Sequence, residues 1–233
     1  MNAMTCRKGF TLLELLVAMA ISVIIVAAAY FFYNTQVQTK MTQERVLDIQ
    51  QNLRASMVMV GADIRMAGYD PEGTTDAGIT VATASTLTFT TSVEAEANGL
   101  DDDGDSTTDE ADEASQPMTL ETITYTLNDE DGDGDLDLVR VVGTSRVVVG
   151  ENMEALEFNY VLDDGSTVSV PTDRTRVIAV RMALLARSRT EDSGFSNSVT
   201  YRGYTSAWGP YNDGYRRRLL RRTVRCRNRG IDQ

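Results

Sequence analysis

The sequence predicts an α+β protein in which one long N-terminal helix packs on a mainly antiparallel β-sheet. Three observations point to it. Between Phe10 and Val60 there is neither glycine nor proline, so nothing interrupts a helix over that stretch. Over the second half of that stretch and a little beyond, apolar residues recur every three or four positions. From Ile79 onward the apolar period falls to two, which is the period of strands.

The helix opens on Arg7-Lys8-Gly9-Phe10-Thr11-Leu12-Leu13-Glu14, and residues 15–39 then carry no charge. At a rise of about 1.5 Å per residue, residues 10–33 cross a hydrocarbon core of about 30 Å. A secretory signal has an apolar core of only about 7–15 residues and then a small-residue cleavage site. This run is longer, and no such site follows it. Cations flanking a first span stay cytoplasmic, so Arg7 and Lys8 put the rest of the chain outside. Glu14 is out of place, because a carboxylate within a membrane span is costly and is kept for a partner.

Gly9 to Glu14 resembles the processing site of the type IV prepilin and pseudopilin family. The resemblance implies a pilin-like fold, cleavage between Gly9 and Phe10 by a prepilin peptidase, and N-methylation of Phe10 by the same enzyme. It also implies that Glu14 pairs with the N-terminal amine of a neighbouring subunit during filament assembly. A carboxylate taken out of water needs a cation, and such an amine supplies one. On this reading residues 1–9 are a cleaved cytoplasmic leader and 10–33 the transmembrane half of the helix. Residues 34–68 are its amphipathic half, and 69–233 a periplasmic or extracellular β-rich head. The plain alternative is an uncleaved signal anchor.

In the amphipathic half, Val46, Ile49, Leu53, Met57, Val60, Ile64 and Ala67 form one stripe, a face for packing. A helix tolerates Gly61 at about 1 kcal/mol, whereas Gly68 and Pro71 supply a stop. The segments Asp48–Arg54 and Asp63–Tyr69 are similar to the same region of PilW-like minor pilins.

The strands follow by alternation. Leu87 and Phe89 alternate with Thr86, Thr88 and Thr90, and Ile123, Tyr125 and Leu127 with Thr122, Thr124 and Thr126. Leu156, Phe158, Tyr160 and Leu162 oppose Glu157 and Asn159, and Ile178, Val180, Met182, Leu184 and Ala186 oppose Arg181 and Arg187. Each run predicts a strand with one buried face. Asp163-Asp164-Gly165-Ser166 has the composition of a hairpin turn. Gly150–Tyr160 also resembles PilW-like proteins, as do Tyr215–Arg218 and Val224–Asn228.

Charge is segregated along the chain. The formal net charge is −12, and half of the 34 acidic residues lie between Glu94 and Asp137, inside a stretch from Arg65 to Arg140 that holds no other cation. Two acidic loops, 98–113 and 128–137, have the spacing with which a tight turn aims oxygens at one hard cation. In the first, Asp101, Asp103, Asp105, Asp109 and Asp112 occupy loop positions 1, 3, 5, 9 and 12, and Thr107 at position 7 offers its carbonyl. Ser106 replaces the glycine expected at position 6. In the second, Asp129, Asp131, Asp133, Asp135 and Asp137 stand at alternate positions and Gly134 takes position 6, but Arg140 at position 12 cannot ligate a cation. That site has to be completed from elsewhere or stay partly hydrated. The expectation is one or two structural Ca2+ ions, set against a plainly solvated acidic face.

The tail is opposite in sign, with eight arginines from Arg216 to Arg229. With Leu220, Val224 and Cys226 inward, it predicts a last strand with a basic outer face. Such a face serves as a guarded edge, as an ionic partner of the acidic loops or a neighbour, or as a contact with acidic envelope surfaces. Cys6 lies in the leader, which leaves Cys226 as a small apolar residue without an internal disulfide partner.

The chain has no histidine, no serine-centred elbow and no Cys–His pair, which argues against an enzyme. The acidic bulk argues against nucleic acid as a partner. The resemblance implies a minor pilin with other minor and major pilins, the prepilin peptidase/methyltransferase and the inner-membrane assembly platform as partners. It lies single-pass in the inner membrane, N-in and C-out, before assembly. A minor pseudopilin of a type II secretion system is the alternative within the family. A membrane-anchored calcium-dependent adhesin is the alternative of another class.

Overall fold

The computed structural model describes residues 10–71, 73, 75–93 and 118–227. The chain divides into two compact units, residues 1–44 and 45–233, and one helix, α1 (Leu12–Met66, 55 residues), contributes to both.

In the first unit every described side chain except Val37 and Thr42 is exposed, including Leu12, Leu13, Ile24, Ile25 and Phe31. The helix is long and apolar enough to cross a membrane. Three of its hydroxyls are satisfied within the helix: Ser22 donates to the Ala18 carbonyl at 2.8 Å, Thr35 to Phe31 at 3.0 Å and Thr39 to Thr35 at 2.9 Å. Such back-bonding lets polar side chains sit in an apolar medium without water.

In the second unit the stripe of α1 lands on the core. Ile49, Leu53, Met57, Val60, Ile64 and Ala67 are all buried, and Val46 is half-buried. The helix ends at Met66, because Gly68 takes a left-handed φ of 75° and turns its N–H to the Thr90 carbonyl at 3.0 Å.

The main sheet is built from β1 (Ile79–Ala82), β2 (Leu87–Val93), β3 (Thr119–Asn128), β4 (Leu136–Val142), β5 (Ser145–Leu162), β6 (Thr167–Val168), β7 (Val177–Arg187) and β10 (Arg217–Arg225). Its order is β1-β2-β3-β4-β5-β7-β10, with β6 also on β5, and every pairing is antiparallel. β8 (Tyr201–Arg202) and β9 (Ala207–Trp208) form a separate hairpin. Phe89, Tyr125, Phe158, Tyr160, Met182 and Leu184 meet the helix stripe in one apolar cluster. The α+β class with a long helix on an antiparallel sheet is therefore the observed one.

The details depart from simple alternation in three places. β4 interrupts its apolar pattern with Asp137 and Arg140, so it does not announce itself as a strand; Arg140 leaves the acidic loop and meets Asp63 of α1 at 2.7 Å. Tyr125 donates to the same carboxylate at 2.6 Å, which ties the helix to β3 and β4.

Glu157 and Asn159 were expected on an open face, yet they are 1% and 2% exposed. The turn between β8 and β9 covers this face. Glu157 accepts from the N–H groups of Tyr204 (2.7 Å), Thr205 (2.7 Å) and Ser206 (3.2 Å) and from the Thr205 hydroxyl. The third departure is in the basic tail, which does not point uniformly outward. Arg217 is buried against Asp213, Glu154 and the Tyr211 ring, and Arg222 donates to the Met57 carbonyl at 3.0 Å. Arg218, Arg221 and Arg225 are exposed on β10, an edge of the sheet.

Candidate functional site

Two places carry the residues singled out by the sequence: the start of α1 and the β3–β4 hairpin. Gly9 lies outside the described residues, and Phe10 is 89% exposed. At the helix start the Glu14 carboxylate accepts from the Thr11 N–H at 2.8 Å and the Thr11 hydroxyl at 3.0 Å, and the Glu14 N–H donates back to Thr11 Oγ1 at 3.3 Å. This is a reciprocal capping box, with Thr11 as N-cap and Glu14 three residues on. The Thr-x-x-Glu spacing carried that signal in the sequence. Both bonds to the carboxylate fall on Oε2, so Glu14 caps its own helix with one oxygen.

The first acidic loop, with Asp101, Asp103, Asp105, Thr107, Asp109 and Asp112, lies outside the described residues. The second joins β3 to β4. Gly132 and Gly134 adopt φ of 78° and 91°, conformations that side-chain-bearing residues rarely take, and so coil the backbone tightly. Asp129 accepts from the N–H groups of Gly132 (2.8 Å) and Gly134 (3.2 Å), Asp131 from Asp133 (3.3 Å), and Asp133 from Asp135 (3.0 Å). Carboxylate oxygens of Asp129, Asp131 and Asp133 come within 4.8 Å of one another, all exposed. That convergence suits one hard cation.

The other acids of the loop differ. Arg146 takes Glu130 in a two-pronged pair at 2.7 and 2.8 Å, and this contact, with a bond from Asn128, lowers the Glu130 carboxyl to about 2. Arg187 approaches Asp135 at 3.5 Å. Burial and the charges of Asp133 and Asp131 nevertheless raise the Asp135 pKa above its ordinary value.

Asp137 is not in the turn at all but in β4, 2% exposed. Burial raises its pKa and the charges of Asp131 and Asp135 push the same way, while the Asn152 N–H bonded to it at 3.3 Å and the nearby Glu130 N–H oppose them. Arg146, Arg187 and Asn152 come from later strands, and nothing in their local sequence marks them as neighbours of this loop.

Parts of the chain match known families and relatives. Residues 4–30 match the family described as the prokaryotic N-terminal methylation motif, and residues 146–228 match the family described as type IV pilus-assembly protein W. The second match runs from β5 through β10. The pilin-like protein PilA3 of Thermus thermophilus is 43% identical over 63 residues, a stretch that is 27% of this chain and 27% of that relative. The solved structure of a type IV-like pilin, TTHA1219 from Thermus thermophilus, aligns with a TM-score of 0.47 at 18% identity, over 77% of this chain and 95% of its own.

Proposed function

We propose, for a chain of the type IV prepilin family with a PilW-type segment from β5 to β10, that it works as a minor pilin. Residues 10–33 hold the subunit in the inner membrane as a single span, N-in and C-out, after removal of residues 1–9 between Gly9 and Phe10. Residues 34–68 continue the helix, and 69–233 form the head. The helix then enters a filament beside other pilins, drawn in by the assembly platform. The observation that carries this reading is Glu14, a lone carboxylate at the start of an apolar half-helix whose surface is bare. A bare apolar helix suits lipid first and the helices of other subunits afterwards, and an acid within it suits the freed amine of a neighbour. The head has a structural role without catalysis, and the 128–137 loop holds calcium there.

The test separates docking from capping. Glu14→Gln keeps an acceptor for Thr11 but removes the charge, whereas Glu14→Leu removes both. If Glu14 docks a neighbour's amine, both variants remain in the membrane and disappear from sheared filaments. Normal incorporation of Glu14→Gln refutes the docking role and leaves the cap. Deletion of the chain is expected to abolish surface pili while exoprotein secretion continues. Loss of secretion with pili intact points to a pseudopilin, and loss of surface attachment alone points to an adhesin.

A further inference from the structure

The β3–β4 loop faces a flaw in the regular sheet. Leu136 pairs with Met153 and Leu138 with Gly150, so Asp137 of β4 stands opposite two residues of β5, Glu151 and Asn152. This is a β-bulge, a device that re-aims a side chain. Asn152 takes the left-handed φ of 57° that asparagine tolerates better than most residues. Its N–H donates to Asp137 Oδ1 at 3.3 Å. From the other side the Glu130 N–H of the loop lies near the same carboxylate, and the charges of Asp131 and Asp135 act on it.

Asp137 is 2% and Asn152 7% exposed, and Asp137 Oδ2 and Asn152 Oδ1 accept no hydrogen bond among the described residues. Buried acceptors without donors are expensive, and native folds rarely leave them so. Here two occur together, on residues joined by the Asn152 N–H bond, at the β4 end of the loop whose Asp129, Asp131 and Asp133 oxygens converge. Among the described residues, arginines reach Glu130 and Asp135 of this loop and leave Asp129, Asp131, Asp133 and Asp137 for another cation.

We infer that Asp137 Oδ2 and Asn152 Oδ1 complete, with Asp129, Asp131 and Asp133, an oxygen site for one hard divalent cation of calcium's class. This rests on the reading that the 128–137 loop, with Asp137 its last acid, holds calcium, and it adds from β5 a ligand where Arg140 cannot serve. Backbone carbonyl and water fill the rest of the six to eight positions such an ion takes, at about 2.3–2.6 Å. The ion thereby fastens an exposed hairpin to β5, which lies between β4 and β7 in the sheet. It steadies the head and not merely its own loop.

The test is calorimetric titration with calcium alone, on the full chain in detergent micelles. Asp101, Asp103 and Asp105 are first changed to Asn so that only the second loop is read. Asp131→Asn tests the loop itself. Asp137→Asn tests the carboxylate that the acidic spacing already offered, and Asn152→Gly the oxygen added from β5; glycine accepts the positive φ, so the bulge survives while the side chain is lost. Each of these two variants is expected to bind calcium about tenfold to a hundredfold more weakly, with its calcium-free circular dichroism unchanged. Asn152→Asp, which restores an oxygen, is expected to bind at least as tightly as the parent. If the parent binds no calcium, the loop reading fails and takes this inference with it. If the parent binds, Asp131→Asn does not, and the Asp137 and Asn152 variants match the parent, the loop reading stands and this inference is overturned.

Discussion

Glu157→Gln changes one atom in a side chain that is 1% exposed and alters four hydrogen bonds at once. The Tyr204 N–H bonds Oε2, while the Thr205 N–H, the Thr205 hydroxyl and the Ser206 N–H bond Oε1. Glutamine can keep its oxygen on the side of the three donors, which turns three charged bonds into weaker neutral ones. Its amide nitrogen then faces the Tyr204 N–H, donor against donor. Hydrogen bonds to a charged group contribute about 1.5–3 kcal/mol and neutral ones about 1 kcal/mol, so after partial relaxation the loss is about 3 kcal/mol.

For a unit of this size that lowers the thermal midpoint by about 6–12 °C. The sole tryptophan, Trp208, lies in the same hairpin with its ring against Gly203, so its emission on heating reads the event directly. Acid sharpens the test. Burial alone would raise the Glu157 pKa, but the bonds from Thr205, Tyr204 and Ser206 outweigh it and hold the carboxyl below its ordinary 4.5. A group with a depressed folded pKa contributes its stability above the unfolded pKa and loses it as pH falls through the folded one. The gap between wild type and Glu157→Gln is therefore full at pH 7 and closes below about pH 4. A midpoint within about 2 °C of wild type at pH 7, or a gap that persists unchanged at pH 3, refutes the reasoning.

Two further substitutions test the same head. Arg217→Met strands Asp213 and Glu154, whose carboxylates lie 2.6 and 2.9 Å from a guanidinium that is 1% exposed, and is expected to cost about 3–5 kcal/mol in chemical denaturation. Gly150→Ala drives a methyl group into Ser56 Oγ and Met153 Cε at the contact of α1 with β5. Ser56 cannot simply swing away, because its hydroxyl already lies 2.8 Å from the Asn52 carbonyl and 3.0 Å from that of Val149. Overpacking of this kind costs about 1–3 kcal/mol, and adding Ser56→Ala is expected to recover part of the lost midpoint.

Much of the fold was legible because periodicity is a local property. The stripe from Ile49 to Ala67 could only be one face of a helix, and Gly68 marked where the chain leaves it. β2, β3, β5 and β7 followed from apolar residues at every second position. β4 did not, since its Asp137 and Arg140 are set by contacts across the sheet and with Asp63 rather than by alternation. Glu157 was misplaced on an open face for a related reason. A strand's pattern says which residues share a face, but not whether a distant hairpin later covers it.

The candidate sites divide along the same line. Glu14 and its Thr11 partner are three residues apart, so their capping box was written in the chain, as was the alternation of aspartates from Asp129 to Asp137. What decides whether those aspartates make a site lies elsewhere. Asn152 sits on a bulge of β5, Arg146 and Arg187 draw off Glu130 and Asp135, and the β4 register buries Asp137. Alone, the sequence determined the bare apolar helix, the acid within it, the antiparallel head and the spacing of the acidic turns, because each follows from residues a few positions apart. Only the tertiary structure decided which charges are paired and which buried oxygens are left without donors, because those outcomes depend on residues brought together by strand register across the sheet.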